Sequence, residues 1–230
     1  MKPKFIVFEG IDGSGTSTQA KLLQEYFFKR GEKAVLSPEP SEGVIGRLIR
    51  EIMQTNLISI QDQNKFDRQM AYLFAADRHY HLYNDHDGVF KLIQQEQTHV
   101  ITTRYYFSSL AYNCNNPEEF AFVRQLNQHF PNPDLVIYID VLPDISLARI
   151  KNRAITEVYE KQEKLMKVRQ MFIQIFKEYK DNCLQLDGSD TIEQLHQNII
   201  NYLDRINLNP CLVQKPPLNS STNPTINPIN

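Results

Sequence analysis

Cysteine is scarce in this chain: 230 residues contain three, Cys114, Cys183 and Cys211. They are odd in number and widely spaced, which excludes a disulfide framework and a zinc pattern and fits a reducing compartment. Long apolar runs are absent, so no segment reaches membrane-spanning length. The first residues run from Met1 into the strand-like Phe5-Ile6-Val7-Phe8 with no apolar signal core and no cleavage site. The expectation is an unexported, cytoplasmic protein without membrane contact. An excess of one charge is missing too. The 25 Lys and Arg residues stand against 27 Asp and Glu, a formal net charge of -2, so the balance gives no sign of a nucleic-acid or membrane surface. There is no internal repeat.

What is present is an ordinary globular composition, with 41% hydrophobic and 23% charged residues. The length suits one well-buried α/β domain plus a tail. Short apolar runs at 5–8, 34–36, 99–102, 135–140 and 183–186 read as strands. Stretches of helical period fall at about 16–30, 44–55, 60–83, 87–96, 117–128, 143–152, 158–180 and 190–206. This alternation predicts a five-stranded, mostly parallel sheet flanked by helices, with its ligand beyond the carboxyl ends of the strands. The domain is expected over 1–206. From 207 to 230 the composition turns to Asn, Pro, Ser and Thr, which predicts a disordered tail.

The loop after the first strand carries the first chemistry. Gly10-Ile11-Asp12-Gly13-Ser14-Gly15-Thr16-Ser17-Thr18 leads into the helical Gln19-Ala20-Lys21-Leu22-Leu23. Glycines let successive backbone N–H groups turn inward around an anion, and the next helix adds its N-terminal dipole. Ser17 stands where a hydroxyl ligates Mg²⁺ in a phosphate loop, but Thr16 stands where the pattern asks for lysine. Taken alone, the same glycines also suit a strand-to-helix turn without a ligand.

The stretch Phe8-Glu9-Gly10-Ile11-Asp12-Gly13-Ser14-Gly15, continued by Ser17-Thr18-Gln19, resembles the opening of thymidylate kinases. Four further blocks follow in family order over about residues 5 to 206. Pro38-Glu39-Pro40-Ser41-Glu42-Gly43 looks like the family's loop over the substrate, with Pro38 in place of arginine. Phe74-Ala75-Ala76-Asp77-Arg78 resembles the helix lining the nucleobase pocket, and i, i+4 spacing puts Phe74 and Arg78 on one face. Thr103-Arg104-Tyr105 with Ser108, Ser109 and Tyr112 resembles a segment in which aspartate, here Thr103, precedes the arginine. Pro133-Asp134 through Asp140-Val141 and Pro143 resembles the strand that leads to a lid containing Arg149, Lys151 and Arg153. Asp187-Gly188-Ser189 then falls where the family closes over adenine, and Glu160 and Glu163 lie just beyond the lid. Each block has a bland alternative: a proline-stiffened turn, a core aromatic beside a surface charge, or a solvated basic face.

The resemblance implies a P-loop fold with a short lid, ATP as phosphoryl donor, dTMP as acceptor, dTDP and ADP as products, Mg²⁺ as bridging ion, and a homodimer. It implies that Gly10 to Thr18 and Arg149 bind ATP. Asp12, Glu39, Phe74, Arg78, Arg104, Ser109 and Tyr112 would bind dTMP, and Ser17 and Asp12 would serve the metal. Arg153, Arg149, Asp12 and Arg104 would carry catalysis, with a lid cation replacing the charge absent at Thr16. Two other readings stay open: a nucleotide-binding or regulatory protein that has lost rapid catalysis, and a kinase for another deoxynucleoside monophosphate.

Overall fold

The computed structural model describes residues 2–55, 57–150 and 162–208. Strands β1 (Phe5–Glu9), β2 (Ala34–Leu36), β3 (His99–Thr103), β4 (Leu135–Asp140) and β5 (Cys183–Asp187) form one sheet in the order β2-β3-β1-β4-β5. Every neighbouring pair runs parallel, with Phe8 level with Thr103 on one side and Ile137 on the other. The α/β architecture expected from the sequence is the one observed.

Parallel strands joined by helical crossovers need cover on both faces, and their side chains divide accordingly. Ile6 and Phe8 of β1 face Ala20, Leu23 and Phe27 of α1 (Thr16–Lys29) and Leu195, Ile199 and Leu203 of α9 (Ile192–Leu208). Phe5 and Val7 join the opposite layer. That layer is built from α3 (Gln63–Tyr83), α4 (Val89–Gln94), α5 (Tyr106–Tyr112) and α8 (Gln162–Glu178). Helix α2 (Val44–Gln54) packs on α3 through Ile49, Ile52 and Met70 and forms a separate small core. It thereby becomes a wall standing beyond the sheet. Two further helices, α6 (Pro117–Asn127) and α7 (Pro143–Ile150), flank β4 in sequence.

One described helix was not expected. The seven residues of α5 are short, and Phe107 to Tyr112 are all buried, so no polar face marks a helical period. Its N-cap residue Tyr105 makes no side-chain cap bond, so the local sequence carries no start signal either. Of the segment expected to form a lid, Lys151, Arg153 and Glu160 lie outside the described residues, as does the tail from residue 209.

Candidate active site

The phosphate loop leaves the end of β1 and enters α1. Gly13 and Gly15 have φ of 77° and 102°, where an L side chain is strained. A Cβ on Gly13 would also come within 2.7 Å of the Ser146 carbonyl oxygen. The N-cap Gly15 offers no side-chain acceptor to the first N–H groups of α1. Inside the loop, the Ser14 hydroxyl is buried and has no hydrogen-bond partner among the described residues. A buried hydroxyl without a partner is costly. An anion seated in the loop would satisfy it together with the open N–H groups. Gly13, Gly15, Thr16, Ser17 and Thr18 line an open cleft. Gly10, Ile11 and Ser14 shape the loop from behind.

Across the cleft stands Arg104, which takes a left-handed backbone conformation with φ of 69°. Its Nη2 pairs with the Asp12 carboxylate and lies 3.3 Å from the Tyr112 hydroxyl, while its Nη1 donates to Ser108 Oγ at 3.1 Å. The Tyr112 hydroxyl donates to the other Asp12 oxygen at 3.3 Å, and the guanidinium lies 4.8 Å from the Tyr112 ring centre. Burial works against the Arg104 charge, but Asp12, the Tyr112 hydroxyl and Glu9 together more than offset it and keep its pKa above the usual arginine range. Beneath this group, Glu9 is entirely buried. It accepts from the Tyr105 N–H at 2.8 Å, the Ser108 N–H at 3.3 Å and the Ser108 hydroxyl at 2.6 Å. Burial pushes the Glu9 carboxyl up to about 7, despite those bonds and the nearby Arg104 charge.

The third wall comes from α3 and the loop after β2. Arg78 is 1% exposed, yet it lines the cleft. Its Nε donates to Glu39 Oε2 at 3.0 Å, its Nη2 lies 2.8 Å from the same oxygen and 3.2 Å from Ser109 Oγ, and its Nη1 donates to Asn127 Oδ1. His81 supports Glu39 from behind, with Nδ1 3.1 Å from Glu39 Oε1 and Nε2 2.7 Å from Ser37 Oγ. Asp77 fixes the loop by accepting from the Ser41 N–H at 2.7 Å and the Ser41 hydroxyl at 2.6 Å. Phe74 is half-buried and lines the same cleft.

The structure thus brings Asp12, Glu39, Phe74, Arg78, Arg104, Ser109 and Tyr112 to one cleft with the phosphate loop. Arg149 sits at its margin. Its Nη2 donates to the Gly188 carbonyl at 2.8 Å and its Nη1 reaches the Gly13 carbonyl at 3.4 Å, so it links the phosphate loop to the turn after β5. Several participants escaped the sequence reading. Arg50 lines the cleft from α2 and donates to the Pro40 and Ser41 carbonyls at 2.6 and 2.8 Å. Its signal was its place between the buried Ile49 and Ile52 on an amphipathic helix. Asn127 lies 49 residues from Arg78 and gave no local signal.

The Glu9 carboxyl yields a pH prediction. Its pKa in the folded protein, about 7, lies above the ordinary value of 4.5. Between these values the folded protein keeps a proton that the unfolded chain has lost, so this group's contribution to stability falls as pH rises through that window. Glu9→Gln removes the titration. The difference in unfolding free energy between variant and wild type should shift in the variant's favour by up to about 3 kcal/mol from pH 4.5 to 7.5. Urea unfolding at the two pH values measures it, and an unchanged difference would show that Glu9 titrates normally.

Comparison with known proteins gives one consistent result. The thymidylate kinase family profile matches residues 8–199. A protein of Pyrococcus horikoshii named "Probable thymidylate kinase" is 36% identical over 202 residues, covering 87% of this chain and 95% of its own. One of Thermococcus gammatolerans with the same name is 33% identical over 204 residues, covering 87% and 96%. With a phosphate loop, an arginine at the end of β3 and a buried arginine on α3 facing one cleft, and with these matches over most of its length, the chain belongs to the thymidylate kinase family.

Proposed function

We propose that the cleft transfers the ATP γ-phosphoryl group to dTMP, giving dTDP and ADP. The observation that carries this reading is the single cleft shared by an anion-binding loop, two arginines suited to a phosphate monoester and a buried arginine suited to a base carbonyl. A dTMP phosphate oxygen attacks the γ-phosphorus, and the bond from that phosphorus to the ADP oxygen breaks. Positioning and charge neutralisation supply most of the catalysis in such a transfer.

Gly10 to Thr18 bind the donor phosphates, with the Ser14 hydroxyl and the N–H groups of the loop as donors. Arg149 lies against the adenine side. Arg104 and Arg50 hold the acceptor phosphate, since a planar guanidinium matches two phosphate oxygens. Arg78 has five N–H donors. Four of its contacts go to Glu39 twice, Ser109 and Asn127, which leaves one Nη1 hydrogen for a thymine carbonyl. Phe74 stacks on the base, Ser109 sits beside it, Glu39 fixes Arg78, and Tyr112 packs against the sugar. Asp12 serves the 3′-hydroxyl or the metal shell.

Mg²⁺ fits this donor set, because the ion needs few protein oxygens when phosphates and water fill its shell. The exposed Ser17 hydroxyl and the Asp12 carboxylate would hold it. When bound, it neutralises charge on the phosphate oxygens. Thr16 brings no positive charge, so Arg153, with Arg149 or Lys151 beside it, supplies that charge from the lid. No helix among the described residues is long and apolar enough to cross a membrane. A cytoplasmic homodimer completes the proposal.

Binding and rate measurements test the assignment. Arg78→Ala should weaken dTMP binding by about 1–3 kcal/mol, because it removes the charged donor to the base. Calorimetry should also rank dTMP above UMP and dCMP for the wild type, and equal affinities would overturn the pocket assignment. Arg153→Ala should slow phosphoryl transfer about a hundredfold while changing dTMP affinity little, the pattern of an interaction made in the transition state. Thr16→Lys should restore part of that loss, and an unaffected rate in Arg153→Ala would place the compensating charge elsewhere.

A further inference from the structure

The proposed reaction leaves one buried ionisable group at the end of β1 without a task. Glu9 does not line the cleft itself, yet its hydrogen bonds among the described residues go to residues 105 and 108, on the segment that follows Arg104. We infer that Glu9 is a positioning residue for the acceptor phosphate, acting through the Ser108 hydroxyl on the Arg104 guanidinium. The inference rests on the reading of Arg104 as the phosphate-holding residue.

A serine hydroxyl has one proton and two lone pairs. Ser108 spends its proton on Glu9 Oε2 at 2.6 Å, so its oxygen faces Arg104 Nη1 as an acceptor at 3.1 Å. The chain therefore runs one way, from guanidinium to hydroxyl to carboxylate. A carboxylate is acceptor-only, and that property holds the polarity of the chain. Glu9 also fixes the backbone that carries the arginine. Its Oε1 accepts the N–H groups of Tyr105 and Ser108, supplying from another strand the cap that Tyr105 cannot give to α5. On the other side, the Arg104 N–H donates to the Phe8 carbonyl at 2.9 Å. Residues 8 and 9 of β1 thus clamp both flanks of a residue held at φ of 69°. Asp12 holds the other end of the guanidinium, from the loop assigned to the donor. The residue before Arg104 is Thr103, which brings no charge to help.

Glu9→Gln is the sharpest probe because it keeps shape and reverses polarity. Its amide oxygen can still accept the two N–H groups, whereas its NH₂ donates to Ser108 Oγ, so the hydroxyl proton loses its acceptor and the orientation that faces Arg104 is no longer fixed. Ser108→Ala breaks the same chain without touching the capping bonds. At pH 8, titration calorimetry with dTMP and with thymidine, which lacks the phosphate, separates a phosphate-positioning role from general damage to the pocket. Each single variant should bind dTMP about tenfold more weakly and thymidine as the wild type does, and the double variant should be no worse than the weaker single one, as for residues on one path. Equal losses for dTMP and thymidine, no loss for dTMP, or multiplying losses in the double variant would each overturn the inference. A wild type with no preference for dTMP over UMP is a different result, which overturns the substrate reading and this inference with it.

Discussion

The carboxylate of Glu9, buried at the end of the central strand without a direct cationic partner, is the constraint on which the cleft depends. Burying a carboxylate is expensive unless its lone pairs are filled. Here they are filled by two backbone N–H groups and one hydroxyl from the same short segment. That segment is α5, whose own sequence has no cap and no polar face. The same bonds offset part of the cost of the buried group and supply the missing cap of the helix. Because α5 also carries Ser109 and Tyr112 and begins two residues after Arg104, this whole wall of the cleft inherits its place from the strand that leads into the glycine-rich loop.

A second buried carboxylate works by a different logic. Glu39 meets the guanidinium of Arg78 directly, and His81 and Ser37 complete its surroundings. Removing either partner of such a pair leaves an uncompensated charge in the interior, which costs more than the pair itself gains. The arrangement holds Arg78 as a fixed plane with little freedom left to lose on binding. Asp77 then ties the same loop to α3 through Ser41. Two of the three arginines on the cleft walls, Arg78 and Arg104, are thus preorganised by buried acids, one directly and one through a relay. This is the condition under which electrostatic groups are most effective, since no reorganisation is needed when a ligand arrives.

Much of this was legible in the sequence, and the limits have physical causes. The five apolar runs became the five strands because a parallel strand buried on both faces must be apolar along its length. Gly13 and Gly15 announced the phosphate loop because left-handed backbone and a close approach to Ser146 exclude side chains. Phe74 and Arg78 were readable from the family resemblance of their helix, since their spacing alone suits a core aromatic beside a surface charge equally well. Helix α5 was not, because its cap comes from Glu9 across 96 residues of chain and its residues are buried all round. Asn127 escaped for the same reason: its partner Arg78 lies 49 residues away and is brought near only by the packing of α6 on α3. The motif Phe8-Glu9-Gly10 drew attention to its glycine, while the structural weight falls on its glutamate.

The phosphate loop keeps its glycines, its buried Ser14 hydroxyl and Ser17, but it has Thr16 where a cation would lie against the donor phosphates. The rest of the cleft is rich in guanidinium groups, with Arg50, Arg78 and Arg104 on its walls and Arg149 at its margin. An assembly of this kind is built to hold two phosphorylated ligands in register, and the central claim is that it also moves a phosphoryl group between them. The most direct test is a single-turnover reaction with enzyme in excess over ATP labelled at the γ-phosphate, in the presence of Mg²⁺ and dTMP. The account predicts that label appears in dTDP, faster than in the diphosphates formed from UMP or dCMP. Tight binding of ATP and dTMP with all label remaining in ATP would contradict it.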